Sequence, residues 1–364
     1  MDFYAFIREA VIAGASDIHC AAGNRPALRI HGKICFPEGH PLLTDEEVLN
    51  CIRQVLPPAY YTRFLETGDI DAAANIKDFG RFRINAFHQR NGATLVMRII
   101  HVQPPEINTL NLPASIDKIL NLQEGLVLAT GPAGSGKTTT LAALIHEMNK
   151  KRCLHIVTIE DPVEYIHTPI RCMINQREVG TDSLSYSTAL RAVLRENPDV
   201  ILIGEIRDLE SMTMALSAAE TGHLVFSTLH TEGAAKAIDR MIDLFPESRQ
   251  QQVLGQLSTT LKAVVSQRLL PRADIPGQIG AFEMMFVNPA VANLIRENKT
   301  AQIDQIIQLN KNTGMLTRNA SIQLLLENGY ITPETARRYS LHTNSPSAAD
   351  MPPYPNISLY PEQR

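Results

Sequence analysis

Residues 131–138 read Gly-Pro-Ala-Gly-Ser-Gly-Lys-Thr, and this octapeptide constrains the chain more than any other feature. It satisfies G-x-x-x-x-G-K-[ST], a pattern that needs a strand before it and a helix after it. The apolar run Leu126–Ala129 supplies the first, and Thr139 to Asn149 reads as the second. Gly131, Gly134 and Gly136 let backbone N–H groups converge on a phosphate without Cβ clashes, while Pro132, Ala133 and Ser135 complete the loop. The helix start adds a favourable dipole. Lys137 is placed to reach β- and γ-phosphates, the Thr138 hydroxyl to ligate Mg²⁺, and Thr139 to continue the cradle. The expected ligand is therefore Mg·ATP.

Around this loop the texture is that of a parallel sheet. Leu126 to Ala129, His155 to Ile159, Val200 to Ile203 and Leu224 to Phe226 are continuous apolar runs alternating with helical segments. Unalternated runs predict strands buried on both faces. Acids and histidines follow several of these runs. Glu205 stands two residues past Ile203, where a strand's carboxyl end faces a nucleotide crevice and can orient an attacking water. Gly204 occupies the place where many such enzymes carry a metal-holding Asp, so Thr138, Glu160 and Glu205 are the metal candidates. Thr158-Ile-Glu160-Asp161-Pro162 supplies Glu160. His230, after the run from Leu224, is placed to sense the γ-phosphate side; His223, before it, either contacts nucleotide or caps the preceding helix.

The first hundred residues differ. Phe3, Phe6, Ile7, Ala10 and Val11 recur at helical spacing as far as Gly14. Ala27–Ile30, the alternating Phe82, Ile84, Ala86, and Thr94–Ile100 read as strands; Thr44 caps a helix to Leu56 with Glu47 three residues on. The reading is an α/β chain: an N-terminal α+β domain at 1–101, a Pro-marked linker at 102–112, an ATPase domain at 113–342, and a Pro/Ser/Asn-rich tail at 343–364 expected to be disordered.

Composition sets limits. Apolar residues make up 44% and charged residues 20%, and the net charge of −4 lacks the basic imprint of a nucleic-acid groove. The five scattered cysteines form no C-x-x-C pair, which predicts reduced thiols. No apolar stretch approaches the roughly 20 residues of a membrane span, and Asp2, Arg8 and Glu9 exclude a signal peptide. A cytoplasmic location is expected, peripheral to the inner membrane through partners.

Several stretches together resemble the secretion and pilus ATPase superfamily, most closely its type IV pilus retraction (twitching-motility, PilT-like) branch. They are Gly14–His19, Gly80–Phe87, Thr130–Leu141, Thr158–Tyr165, Leu190–Asp208, Ala219–Thr231 and Arg296-Glu297. The resemblance implies an N-terminal PAS-like domain, a RecA-like P-loop domain and a homohexameric ring acting on an inner-membrane pilus platform protein, alongside a paralogous pilus ATPase. In its terms 131–138 is Walker A, 158–165 the Asp box, Glu205 the end of an atypical Walker B, and 219–231 the His box. It further implies that Arg83 and Arg98 reach ATP from a neighbouring subunit, and that Arg191, Arg195 and Arg207 flank Walker B. Two positions depart from the pattern: Asn197 replaces an Asp, and Leu294 replaces the Ala of Ala-Ile-Arg-Glu. The lack of paired cysteines and the short N-terminus weigh against the extension and secretion branches. An accessory nucleotide-binding subunit and a DNA-handling motor of related fold are the alternatives from other classes.

Overall fold

The computed structural model describes residues 2–30, 32–100 and 103–340, so the expected tail lies outside the described residues. The chain forms two compact units: residues up to 103 with 164–166, and 104–163 with 167 onward.

The first unit is an antiparallel sheet with three helices. Its strands are β1 (Asp17–Ala21), β2 (Ala27–Ile30), β3 (Lys33–Cys35), β4 (Asp69–Ile76), β5 (Gly80–Gln89) and β6 (Gly92–Ile100), in the order β3-β2-β1-β6-β5-β4. Helix α1 (Phe3–Ile12) buries Phe3, Phe6, Ile7 and Ala10 of the stripe that its periodicity predicts, whereas Val11 is exposed, and Asp2 caps it by accepting from the Ala5 amide. Helix α2 (Asp45–Val55) begins with a reciprocal cap: Thr44 accepts from the Glu47 amide while Glu47 accepts from the Thr44 amide. Helix α3 (Pro58–Thr67) follows. Phe82, Ile84 and Ala86 of β5 alternate into the core, joining α1 and α2 side chains in one apolar cluster.

The second unit carries the sheet with order β13-β12-β7-β11-β10-β8-β9. Its strands are β7 (Gly125–Thr130), β8 (His155–Glu160), β9 (Met173–Glu178), β10 (Val200–Ile203), β11 (Leu224–Leu229), β12 (Leu261–Pro271) and β13 (Gln278–Phe286). All neighbours run parallel except β13, which returns antiparallel along β12. Helices α4 (Asp117–Leu120), α5 (Lys137–Lys151), α6 (Tyr186–Val193), α7 (Leu209–Glu220), α8 (Ala234–Asp243), α9 (Glu247–Thr260), α10 (Pro289–Arg296), α11 (Ile303–Leu309), α12 (Arg318–Glu327) and α13 (Pro333–Tyr339) complete it. Leu126 and Leu128 of β7 enter a cluster with α6 to α9, whereas Val127 and Ala129 enter another with α5. Both faces of the central strand are thus covered, which is why its sequence does not alternate.

The two units are the PAS-like α+β and RecA-like α/β pair implied by the resemblance. Of the stretch 102–112 read as a linker, residues 104–112 belong to the second unit: Leu112 is buried, and Glu106 pairs with Lys150 at 2.5 Å. Among the described residues no helix is long and apolar enough to cross a membrane. All five cysteines are free thiols.

Candidate active site

Parallel register brings the chemistry to one edge of the second sheet. Ile203 lies beside Ile159 on one side and Ser227 on the other, and Leu229 lies beside Thr130. Glu160, Glu205, His230 and the 131–138 loop therefore all leave the sheet at the strands' carboxyl ends, where open α/β sheets bind ligands.

The loop itself is folded as its glycines require. Gly131 has φ +143°, and a Cβ there would collide with the Gln267 carbonyl oxygen and lie 2.7 Å from Ser135 Oγ. Gly136 takes a left-handed conformation as the N-cap of α5, and no side chain caps that helix. A helix start without a side-chain cap is suited to an anion. Lys137 is buried, its ammonium donating to the Gly131 and Pro132 carbonyls at 2.8 and 2.9 Å. Thr138 and Thr139 occupy the first turn of α5.

Glu205 is held from two sides. The Arg207 guanidinium pairs with Oε1, and His230 Nε2 lies 3.1 Å from Oε2. Burial pulls the His230 pKa below its usual value, and the positive charges of Lys137 and Arg207 pull it further. His230 is thus neutral at pH 7, and a neutral ring facing a carboxylate must donate its Nε2–H. That electrostatic contact also places Lys137 with the Glu205–Arg207–His230 group. Glu160 is buried, accepting from Thr158 Oγ1 at 2.6 Å and from Gln176 Nε2 at 3.3 Å.

Other candidates lie elsewhere. His223 stands at the opposite end of β11 from His230. Six residues of strand span about 20 Å, so His223 is not part of this chain's phosphate cradle. Its Nδ1 lies 3.0 Å from the Ala218 carbonyl and 3.2 Å from Thr221 Oγ1, so it closes the end of α7, the capping alternative. Arg191 pairs with Glu210, and Arg195 is exposed past the end of α6. Arg83 and Arg98 belong to the first unit, directly opposite each other on β5 and β6. Arg83 makes a two-point contact with Asp71, 3.1 and 2.6 Å, and Arg98 Nε donates to Asp17 at 2.8 Å. Burial would raise the Asp17 pKa, but hydrogen bonds from Arg98 and Ser16 outweigh it and hold the carboxyl below its ordinary value. Asn197 has φ +53°, a conformation that Asn and Asp tolerate, so the departure there is a local backbone matter.

The family model described as "Type II/IV secretion system protein" matches residues 3–337. The chain belongs to that family. It is 43% identical over 325 residues to a protein of Neisseria gonorrhoeae described as "Twitching motility protein", covering 88% of this chain and 86% of the relative. It is 42% identical over 337 residues to the "Type IV pilus retractation ATPase PilT" of Pseudomonas aeruginosa, covering 93% and 97%. A crystal structure of the pilus retraction motor PilT with bound ADP superposes with a TM-score of 0.88 at 41% identity, covering 94% of this chain and 98% of that one. Within the family the chain is PilT-like.

Two residues beside the family's motifs were not singled out from sequence. Gln267 of β12 donates from Nε2 to the Ser135 carbonyl at 2.6 Å, buttressing the loop. Tyr186 explains Gly204: a Cβ at 204 would stand 3.0 Å from the Tyr186 hydroxyl and 3.4 Å from Glu160 Cα. Burial raises the Tyr186 pKa, as do the Asp161 and Glu160 charges against the opposing pull of Arg207, so the phenol keeps its proton. Gly204 was visible as a departure, but nothing local announced its partner on α6.

Proposed function

We propose that the chain is an ATP-hydrolysing motor that powers type IV pilus retraction, the process behind twitching motility. The observation that carries this reading is the convergence of the 131–138 loop with Lys137, Glu205, Arg207 and His230 at one sheet edge. Its support in kind is the near full-length likeness to proteins described as retraction or twitching-motility ATPases.

ATP would bind with its phosphates on the loop of Gly131, Pro132, Ala133, Gly134, Ser135, Gly136, Lys137, Thr138 and Thr139. Glu205 would accept a proton from water as its oxygen attacks the γ-phosphorus. The bond from that phosphorus to the β-bridging oxygen then breaks, with Lys137 countering the charge on the leaving group. His230 and Arg207 engage the two oxygens of Glu205, which would fix the orientation of its carboxylate. The candidate donors at this end of the sheet are hard oxygens, the Thr138 hydroxyl and the Glu160 and Glu205 carboxylates, a set that would suit Mg²⁺. Bound there, Mg²⁺ would neutralise phosphate charge.

Arg83 and Arg98 would complete a neighbour's site in a homohexamer. The Nε of Arg98 is fixed by Asp17 while its side chain is 66% exposed, an arrangement that presents the remaining N–H groups outward. The motor would act from the cytoplasmic face on an inner-membrane platform protein. Deleting the gene in its host and scoring pili and surface movement tests the reading: hyperpiliated cells that do not spread are expected, and bald cells would contradict it.

A further inference from the structure

We propose that the ion pair of the buried Arg318 with the half-buried Glu232 positions the loop bearing His230, and through it Glu205. The inference rests on the ATPase reading above and goes beyond it by adding a part of the molecule remote from the motifs.

Residues just after His230 are fastened one after another. Glu232 Oε1 accepts from Arg268 Nη1 at 3.0 Å, and Oε2 accepts from Arg318 Nη1 at 3.2 Å. The Gly233 amide donates to Ser266 Oγ at 3.0 Å, and Arg318 Nη2 lies 3.5 Å from that same oxygen. The Ala234 amide donates to Glu283 Oε1 at 2.7 Å. Glu283 is buried, which raises its pKa, and the Ala234 amide and the Arg318 charge oppose the rise. Three consecutive residues after the His230 turn are therefore held by one polar group around Arg318.

Arg318 is a poor choice if stability alone were at stake. Its side chain is 2% exposed, and its Nε is buried without a hydrogen-bond partner among the described residues. A buried guanidinium with an unmet N–H costs more desolvation than an apolar side chain would. What it supplies is direction, a planar fork that reaches Glu232 and Ser266 together. It also links distant elements. Arg318 is the first residue of α12, and Arg268 stacks over Tyr339 of α13 at 5.0 Å. Ser266, Gln267 and Arg268 are consecutive on β12, so the strand that holds the His230 loop also holds the phosphate loop through Gln267. Arg318 is thus a positioning residue, acting on chemistry through Glu232 and the backbone of 232–234.

The test uses the full-length chain. Arg318→Lys keeps the charge but loses the fork, and Glu232→Gln keeps the shape but loses the charge. Misplacing a catalytic group by about 1 Å costs up to about a hundredfold, so kcat should fall about tenfold in each variant. KM for ATP should stay within about twofold, because the 131–138 loop keeps its own supports. Hydrogen exchange at the Gly233 and Ala234 amides should quicken in both. Thr317→Ala is the control: Thr317 caps α12 through the Ala320 amide, so its loss weakens the same helix without touching Glu232. Wild-type kcat in both pair variants would overturn the proposal, as would an equal kcat loss in Thr317→Ala at the same melting temperature. Where Arg318→Lys does not fold, the near-isosteric Glu232→Gln decides. Wild-type protein without ATP turnover would overturn the ATPase reading instead.

Discussion

His167 shows how a single buried ring couples this protein to pH. Burial, with a smaller push from His146, lowers its pKa from 6.5 to about 4, and its Nδ1 has no partner among the described residues. The unfolded chain takes up a proton below pH 6.5 that the folded chain refuses until about pH 4. Stability is therefore complete above pH 6.5, falls between 6.5 and 4, and has lost roughly 3 kcal/mol from this residue by pH 4. Urea melts at pH 7 and pH 5 should show wild type losing roughly 2 kcal/mol more than His167→Asn; equal losses would refute the assignment. At Gly204 the limit is steric. Gly204→Ala would put a methyl 3.0 Å from the Tyr186 hydroxyl and 3.3 Å from the Ile159 carbonyl oxygen, forcing the segment before Glu205 to shift. Turnover should drop by about tenfold or more with nucleotide affinity kept, read as kcat against KM. Both residues show what a sequence hides. A glycine in place of an acid is plain to see, but the phenol that requires it sits on another element.

Elements were legible where their causes are local. The α2 cap pairs residues three apart, and Thr44 and Glu47, the two residues read from sequence, form it. The runs that became β7, β8, β10 and β11 declared themselves because burial on both faces favours apolar side chains along most of each run. Strands β12 and β13 escaped notice, since their ladder with each other and with β7 is a long-range fact, and β12 carries the polar Ser266, Gln267 and Arg268. Gln267 lies 132 residues from the Ser135 carbonyl that it supports. Gln267→Ala should weaken Mg·ATP binding about tenfold, on the order of one hydrogen bond to a buried carbonyl, measured by calorimetry; unchanged affinity would show that the loop needs no such support. Thr44→Ala, in the first unit, should cost about 1 kcal/mol in denaturant melts and leave ATP affinity unchanged.

For the whole molecule, the order of segments along the chain carried the architecture: an antiparallel α+β unit, then a parallel sheet with its phosphate loop after the first strand. The arginines are the part that one chain cannot explain, because Arg83 and Arg98 are engaged by Asp71 and Asp17 of their own unit. If they serve a neighbouring site, mixing Arg83→Ala with Lys137→Ala protein should yield activity that varies non-linearly with mixing ratio, since some junctions regain both groups. Activity equal to the weighted sum of the two would remove the trans role. Beneath all of this lies the group at the sheet edge. The most direct test is phosphate release from saturating Mg·ATP by Glu205→Gln beside wild type. Removal of a general base costs about a hundredfold or more, so the variant should be slower by at least that factor. A Glu205→Gln protein that turns over at the wild-type rate would contradict the account.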